Sequence, residues 1–168
     1  MRISLTLLVI ALGWIMQGCT NEADRNAIRQ MEQAAPLMQS DPEAAHVLLA
    51  DSVAHPELLS PEVNARWCLM LCQLADSIGT PLPYVPQMER AYRYVKRHGT
   101  VDEQLQAALY LGRTYMDDQD QEAALRTYTE ALQQSIMENM PNQSGYISSY
   151  MGDVYEFQGM YQQAVEKY

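Results

Sequence analysis

Residues 108–131 read ALYLGRTYMDDQDQEAALRTYTEA. Small and apolar side chains recur there at three- and four-residue spacing, the period of a helix face, with no strand-like alternation. Ala108, Leu111, Gly112 and Tyr115 share one face of a first helix, and Ala124, Tyr128 and Ala131 share one face of a second. Asp117-Asp118-Gln119-Asp120 is the turn between them, and Asp120 is placed to cap the second helix through its carboxylate. Side-chain size carries the packing. Gly112 lets the second helix approach, Ala124 is the small residue facing it, and Leu111, Tyr115 and Tyr128 fill the space between.

The block recurs. Met151-Gly152-x-x-Tyr155 repeats Leu111-Gly112-x-x-Tyr115, and Gly159, Tyr161, Ala164 and Tyr168 follow in the equivalent places. A degenerate copy precedes the block, with Trp67 set against Ala108, Met70 against Leu111, Leu71 against Gly112 and Leu74 against Tyr115. Ala91 and Val95 complete that copy across a longer hairpin loop. The three copies cover residues 64–168. In residue type and spacing the block resembles the tetratricopeptide repeat. The resemblance implies an all-α solenoid of about three to four helix hairpins, with residues 26–168 as one repeat domain.

Outward from that block, start and stop signals continue toward the amino end. Ile28, Met31, Ala34, Ala35 and Met38 make one helical face. Asp41-Pro42-Glu43 opens a second helix, with an Asp cap, Pro in the first turn and Glu beside the positive end of the dipole. Ala44, Val47, Leu48 and Ser52 mark its apolar face, and His55-Pro56 breaks it. Residues 25–53 thus read as a further, weaker helix pair. Ser60-Pro61-Glu62 repeats the start signal for a third helix over residues 65–78, closed by Gly79. Residues 80–86 hold three prolines and read as a loop, and residues 87–97 read as a fourth helix ending at Gly99. Tyr168 falls on the aromatic position of the last second helix, with no polar capping helix after it. Helix arrays need such a cap, so the repeat domain is expected to be incomplete at its carboxyl end and the chain a fragment.

At the amino end, Arg2 precedes an almost unbroken apolar run over residues 3–16. The run is shorter than the roughly 20 residues needed to cross a bilayer, and it suits a signal peptide. It ends at Met16-Gln17-Gly18-Cys19, which resembles the lipobox of bacterial lipoproteins. That resemblance implies a signal peptide over residues 1–18, lipidation at Cys19 and a polar tether over residues 19–25. Acyl chains at about 0.8 kcal/mol per buried CH₂ would then anchor the protein in the cell envelope, facing the periplasm or exterior.

Composition bounds the chemistry. With 21 acidic against 11 basic residues the net charge is −10, which argues against nucleic acid as a partner of this segment. Eleven tyrosines and one phenylalanine suggest half-buried rings whose hydroxyls stay wet. Cys68 and Cys72, four apart on one helix, share a face as metal ligands would, but no His or carboxylate lies near them in sequence, and small packing residues are the plainer reading. Their redox state is open. His46, His55 and His98 are scattered over separate elements, no nucleophile has a base at motif spacing, and no Gly-rich phosphate loop is present. The expectation is a binding protein rather than an enzyme, without metal or cofactor.

In the tetratricopeptide fold the first helix of each pair lines a concave groove. Carried onto this chain, the resemblance implies groove positions at Ala65, Cys68, Cys72, Ala75 and Asp76. The next repeat supplies Gln106, Leu109, Arg113, Met116 and Asp117, and the last supplies Tyr146, Ser149, Asp153, Glu156 and Phe157. Tyr146 and Phe157 are the candidate anchors for a peptide. The order of lipobox, Met38-Gln39-Ser40-Asp41-Pro42-Glu43-Ala44, Ala65-Arg66-Trp67, residues 92–99 and Leu111-Gly112-Arg113-Thr114-Tyr115 resembles tetratricopeptide lipoproteins of Gram-negative, gut-type bacteria. These include the amino-terminal sensor parts of membrane-bound helix-turn-helix regulators. The implied function is an extracytoplasmic protein- or peptide-binding module, the sensory or interaction part of a signalling or transcription-regulatory membrane protein. The alternatives are a glycan-binding nutrient lipoprotein of the outer membrane, or an enzyme whose catalytic domain lies beyond Tyr168.

Overall fold

Local helix-start chemistry sets the element boundaries in the computed structural model, which describes residues 22–168. The signal peptide, the lipobox with Cys19 and the start of the tether lie outside the described residues. Helix α1 (Glu22–Ala34) continues as a 3₁₀ turn (Ala35–Leu37), and α2 (Pro42–Ser52) is followed by a second 3₁₀ turn (Pro56–Leu58). Then come α3 (Pro61–Ile78), α4 (Val85–His98), α5 (Val101–Asp117), α6 (Gln121–Met137), α7 (Pro141–Phe157) and α8 (Tyr161–Lys167). Among the described residues these eight helices form four consecutive hairpins, with no strand.

The caps are those the sequence announces. Asp41 Oδ1 accepts the Ala44 N–H at 3.1 Å, Ser60 Oγ accepts the Val63 N–H at 3.5 Å, and Asp120 Oδ1 accepts the Ala123 N–H at 2.9 Å. Thr100 and Glu103 add a reciprocal capping box, in which each side chain accepts the other's backbone N–H. Gly79 closes α3 in the left-handed region at φ 69°, its N–H donating to Ala75 O at 2.8 Å.

Several boundaries and faces differ from the sequence reading, among them the start of α3, which lies at Pro61 rather than at residue 65. Residues 22–25, expected in the tether, belong to α1, where buried Asp24 accepts the Ser60 N–H at 2.8 Å and so ties α1 to the start of α3. Helix α4 begins at Val85, inside the expected loop, because Pro86 occupies a first-turn position that needs no N–H. The buried line of α2 is Ala45 and Leu49, whereas Val47 is 55% exposed. Helix α2 is apolar almost all round, so its periodicity does not choose a face, and packing between α1 and α3 does.

The repeat register is constant along the array. Helices α3, α5 and α7 begin at the equivalent residues Pro61, Val101 and Pro141. Gly79, Gln119 and Gly159 are left-handed at the equivalent place in the turns after these helices, at φ 69°, 64° and 71°. This corrects the alignment expected for the degenerate copy by one position: Cys72, rather than Leu71, is the counterpart of Gly112 and Gly152. The hairpin loop between α3 and α4 is longer than the other two, and α4 starts correspondingly late.

Consecutive helices pack on one another along the chain, and α5 also meets α7. Among the described residues two apolar clusters make up the core. One is built around Met31, Leu49, Leu59, Trp67, Leu74 and Met88, and the other around Tyr128, Ile147, Met151 and Val154. Helix α5 joins them, sending Ala107, Tyr110 and Leu111 into the first and Leu105 and Ala108 into the second. In the first cluster, Trp67 Nε1 donates to Leu49 O at 2.9 Å and pins α3 to α2.

Candidate functional site

Because the register repeats, equivalent side chains of α3, α5 and α7 come into line, and one charge is shared across them. Arg113 on α5 is ion-paired to Asp76 on α3. The same carboxylate accepts the Tyr110 hydroxyl at 3.0 Å. The Arg113 guanidinium carbon also lies 5.7 Å from the Tyr110 ring centre and 5.8 Å from that of Tyr150 on α7, so the cation sits between two aromatic faces. Burial and then the Asp76 carboxylate push the Tyr110 phenol well above its ordinary range, which keeps it a neutral donor.

Beneath this clamp, the Tyr150 ring stacks on Tyr128 with centres 5.9 Å apart. Tyr128 is fully buried and its hydroxyl has no partner among the described residues. Burial, with Tyr150 nearby, drives its phenol well above the usual range.

The expected groove positions divide. Ala65, Cys68, Cys72 and Ala75 are 2%, 0%, 0% and 4% exposed and line no groove. They face inward, where Cys72 Sγ donates to Met88 Sδ of α4 at 3.6 Å. Both thiols are free and buried; burial pushes Cys68 up to about 12 and Cys72 higher still, so neither is a nucleophile at neutral pH. Only Asp76 of that set reaches the surface. In the second set, Gln106 and Arg113 are half-buried, Leu109 and Met116 pack against the second core cluster, and Asp117 is exposed.

The third set stands open. Tyr146 and Phe157 are 66% and 68% exposed, and Ser149, Asp153 and Glu156 are exposed beside them. Asp153 and Glu156 accept the Tyr168 hydroxyl at 2.8 and 3.1 Å, which raises that phenol.

Tyr110 and Tyr150 were missed in the sequence. Their signal was the register itself: Met70, Tyr110 and Tyr150 hold one equivalent position on the three first helices. A second feature missed is an apolar cavity of ≈ 580 Å³ between α2, α3 and the long hairpin loop, walled by Trp67, Leu71, Leu82 and Pro83. Among the described residues no group of three or more His, Cys, Asp and Glu is placed to hold a metal ion, and no helix is long and apolar enough to cross a membrane. Comparison of the chain with protein families, curated proteins and solved structures found no match.

Proposed function

We propose that the chain is a tetratricopeptide-type repeat module of a lipid-anchored, extracytoplasmic protein, and that it binds a protein or peptide along the surface of α3, α5 and α7. In this reading it is the sensory or interaction part of a signalling or transcription-regulatory membrane protein. The observation that carries the binding surface is the Arg113 clamp, which joins the three first helices into one continuous, preorganised wall. A preformed surface loses less entropy on binding than one that must order first. Beyond the clamp, exposed Tyr146 and Phe157 supply large apolar area at little conformational cost.

Leu111-Gly112-x-x-Tyr115 and Ala124-x-x-x-Tyr128 support the tetratricopeptide type. The period, read from Gly112 to Gly152, is longer than the roughly 34 residues typical of that repeat. Helices of 17 residues, as in α5 and α6, accommodate the excess.

The test is panning of displayed random peptides on the full chain, with a glycan array in parallel. Selected peptides should lose at least about 1 kcal/mol of affinity for Tyr146→Ala and for Phe157→Ala. Peptides that bind both variants as well as the parent would place the site elsewhere. Glycan ligands without peptide ligands would favour the nutrient-binding alternative.

A further inference from the structure

Helix α4 carries Arg90, Arg93, Lys96 and Arg97, four of the 11 Lys and Arg in a chain of net charge −10. Cations in a last turn complement the helix dipole, which accounts for Lys96, Arg97 and His98. It does not account for Arg90 and Arg93, which sit in the body of the helix. Arg90, Arg93, Arg97 and His98 instead converge on one recess of ≈ 530 Å³ against the start of α3, closed by Ser60, Pro61, Glu62 and Tyr94.

The charges in this recess are poorly compensated. Arg90 is fixed by main-chain carbonyls, donating to Pro56 O at 3.3 Å, to Glu57 O at 3.1 Å and to Leu59 O. Those partners are neutral, so the guanidinium is held in place with its charge intact. Arg93 makes a long, exposed ion pair with Glu89 at 3.4 Å, of the kind that contributes little. Arg97 has no hydrogen-bond or ion-pair partner among the described residues. His98 is held by its ring against Tyr94, centres 4.6 Å apart. Among the described residues Glu62 is the one carboxylate in the wall, and it lies beside the Tyr94 phenol.

We propose that this recess is an anion-binding site for a phosphate- or sulfate-type oxyanion, separate from the peptide surface on α3, α5 and α7. A planar guanidinium presents paired N–H donors that match two oxygens of such a group. Arg90 supplies the fixed charge, while exposed Arg93 and Arg97 close on the ligand from the helix surface. The same chemistry fits a free phosphate compound or the phosphodiester headgroup of a lipid.

The test is calorimetric titration of the full chain with pyrophosphate and, separately, with glycerophosphoglycerol, the water-soluble headgroup of an anionic lipid. Arg97→Gln and Arg93→Gln should each weaken the preferred ligand roughly ten-fold, the loss of one charge-assisted hydrogen bond. Arg126→Gln, which removes an exposed arginine of α6, should leave binding unchanged and controls for net charge. Preference for pyrophosphate assigns a soluble ligand, and preference for glycerophosphoglycerol assigns a lipid headgroup. Failure of both probes to bind, or equal binding by Arg97→Gln and the parent, would overturn the proposal.

Discussion

Two hairpins with the same backbone register solve the same packing problem with different atoms. Between α5 and α6, Gly112 meets Tyr128 so closely that a Cβ at position 112 would lie 2.1 Å from Tyr128 Cε1. Between α3 and α4 the equivalent pair is Cys72 and Met88, sulfur to sulfur at 3.6 Å. In the first case a flat, rigid ring takes all the space that glycine leaves. In the second, a flexible thioether shares it with a small side chain. The volume between the helices is therefore constrained jointly, and neither position is interpretable alone.

The sharpest way to break this comparison is Gly112→Ala. Tyr128 is fully buried and cannot swing away, so overpacking should destabilise the fold by about 3 kcal/mol, read from chemical denaturation. Gly112→Leu should be at least as damaging. Installing the other solution, Gly112→Cys with Tyr128→Met, should recover much of the loss of Gly112→Cys alone, because contacting positions are not additive. A double variant as unstable as the single would show that the two hairpins are not interchangeable.

Tyr128→Phe sharpens the comparison from the other side. The hydroxyl is buried without a partner among the described residues, and such a group costs about 1–3 kcal/mol, so its removal should leave stability unchanged or raise it by about 1 kcal/mol. A clear drop in the denaturation midpoint would mean that the hydroxyl is satisfied in solution. Tyr168→Phe, at the equivalent position, deletes the bonds to Asp153 and Glu156 and should shift stability slightly in the opposite direction.

A smaller effect is expected at the hairpin turns. Gln119 holds the left-handed conformation that Gly79 and Gly159 hold in the other two repeats. Gln119→Gly should therefore stabilise by about 0.5 kcal/mol, since a side chain is penalised there and glycine is not. A lower melting midpoint would contradict this.

The smallest effect is predicted for Gly152→Ala. Its Cβ would lie 2.8 Å from Tyr168 Cε1, but Tyr168 is 65% exposed and can move outward at the expense of two solvent-exposed hydrogen bonds. The change should cost only a few tenths of a kcal/mol, a fraction of the usual penalty for overpacking. Equal sensitivity at positions 112 and 152 would show that Tyr168 is held as firmly as Tyr128.

Legibility followed the range of the interaction. Asp41, Ser60 and Asp120 cap within three residues of themselves, so their roles were plain from spacing alone, as was the stop at Gly79. The all-helical hairpin array and the close approach at Gly112 were also legible, because a helix period and a short turn bring the two helices together without outside help, although Tyr128, rather than the expected Ala124, meets the glycine. The chain beyond the turn was another matter. Ala65, Cys68, Cys72 and Ala75 looked like groove residues by position in the repeat, yet they are buried where other helices, α4 among them, pack on α3.

Sequence by itself thus determined the all-helical hairpin array and the caps at Asp41, Ser60 and Asp120, which are decided within a few residues or within one hairpin. Tertiary structure alone decided which line of α2 is buried and which residue reaches across three helices. The Asp76–Arg113–Tyr150 clamp joins side chains from three successive hairpins, with Arg113 midway between its two partners in the chain. Such contacts depend on how one hairpin is stacked and rotated on the next, a quantity fixed by the packing of the whole core and by no local period.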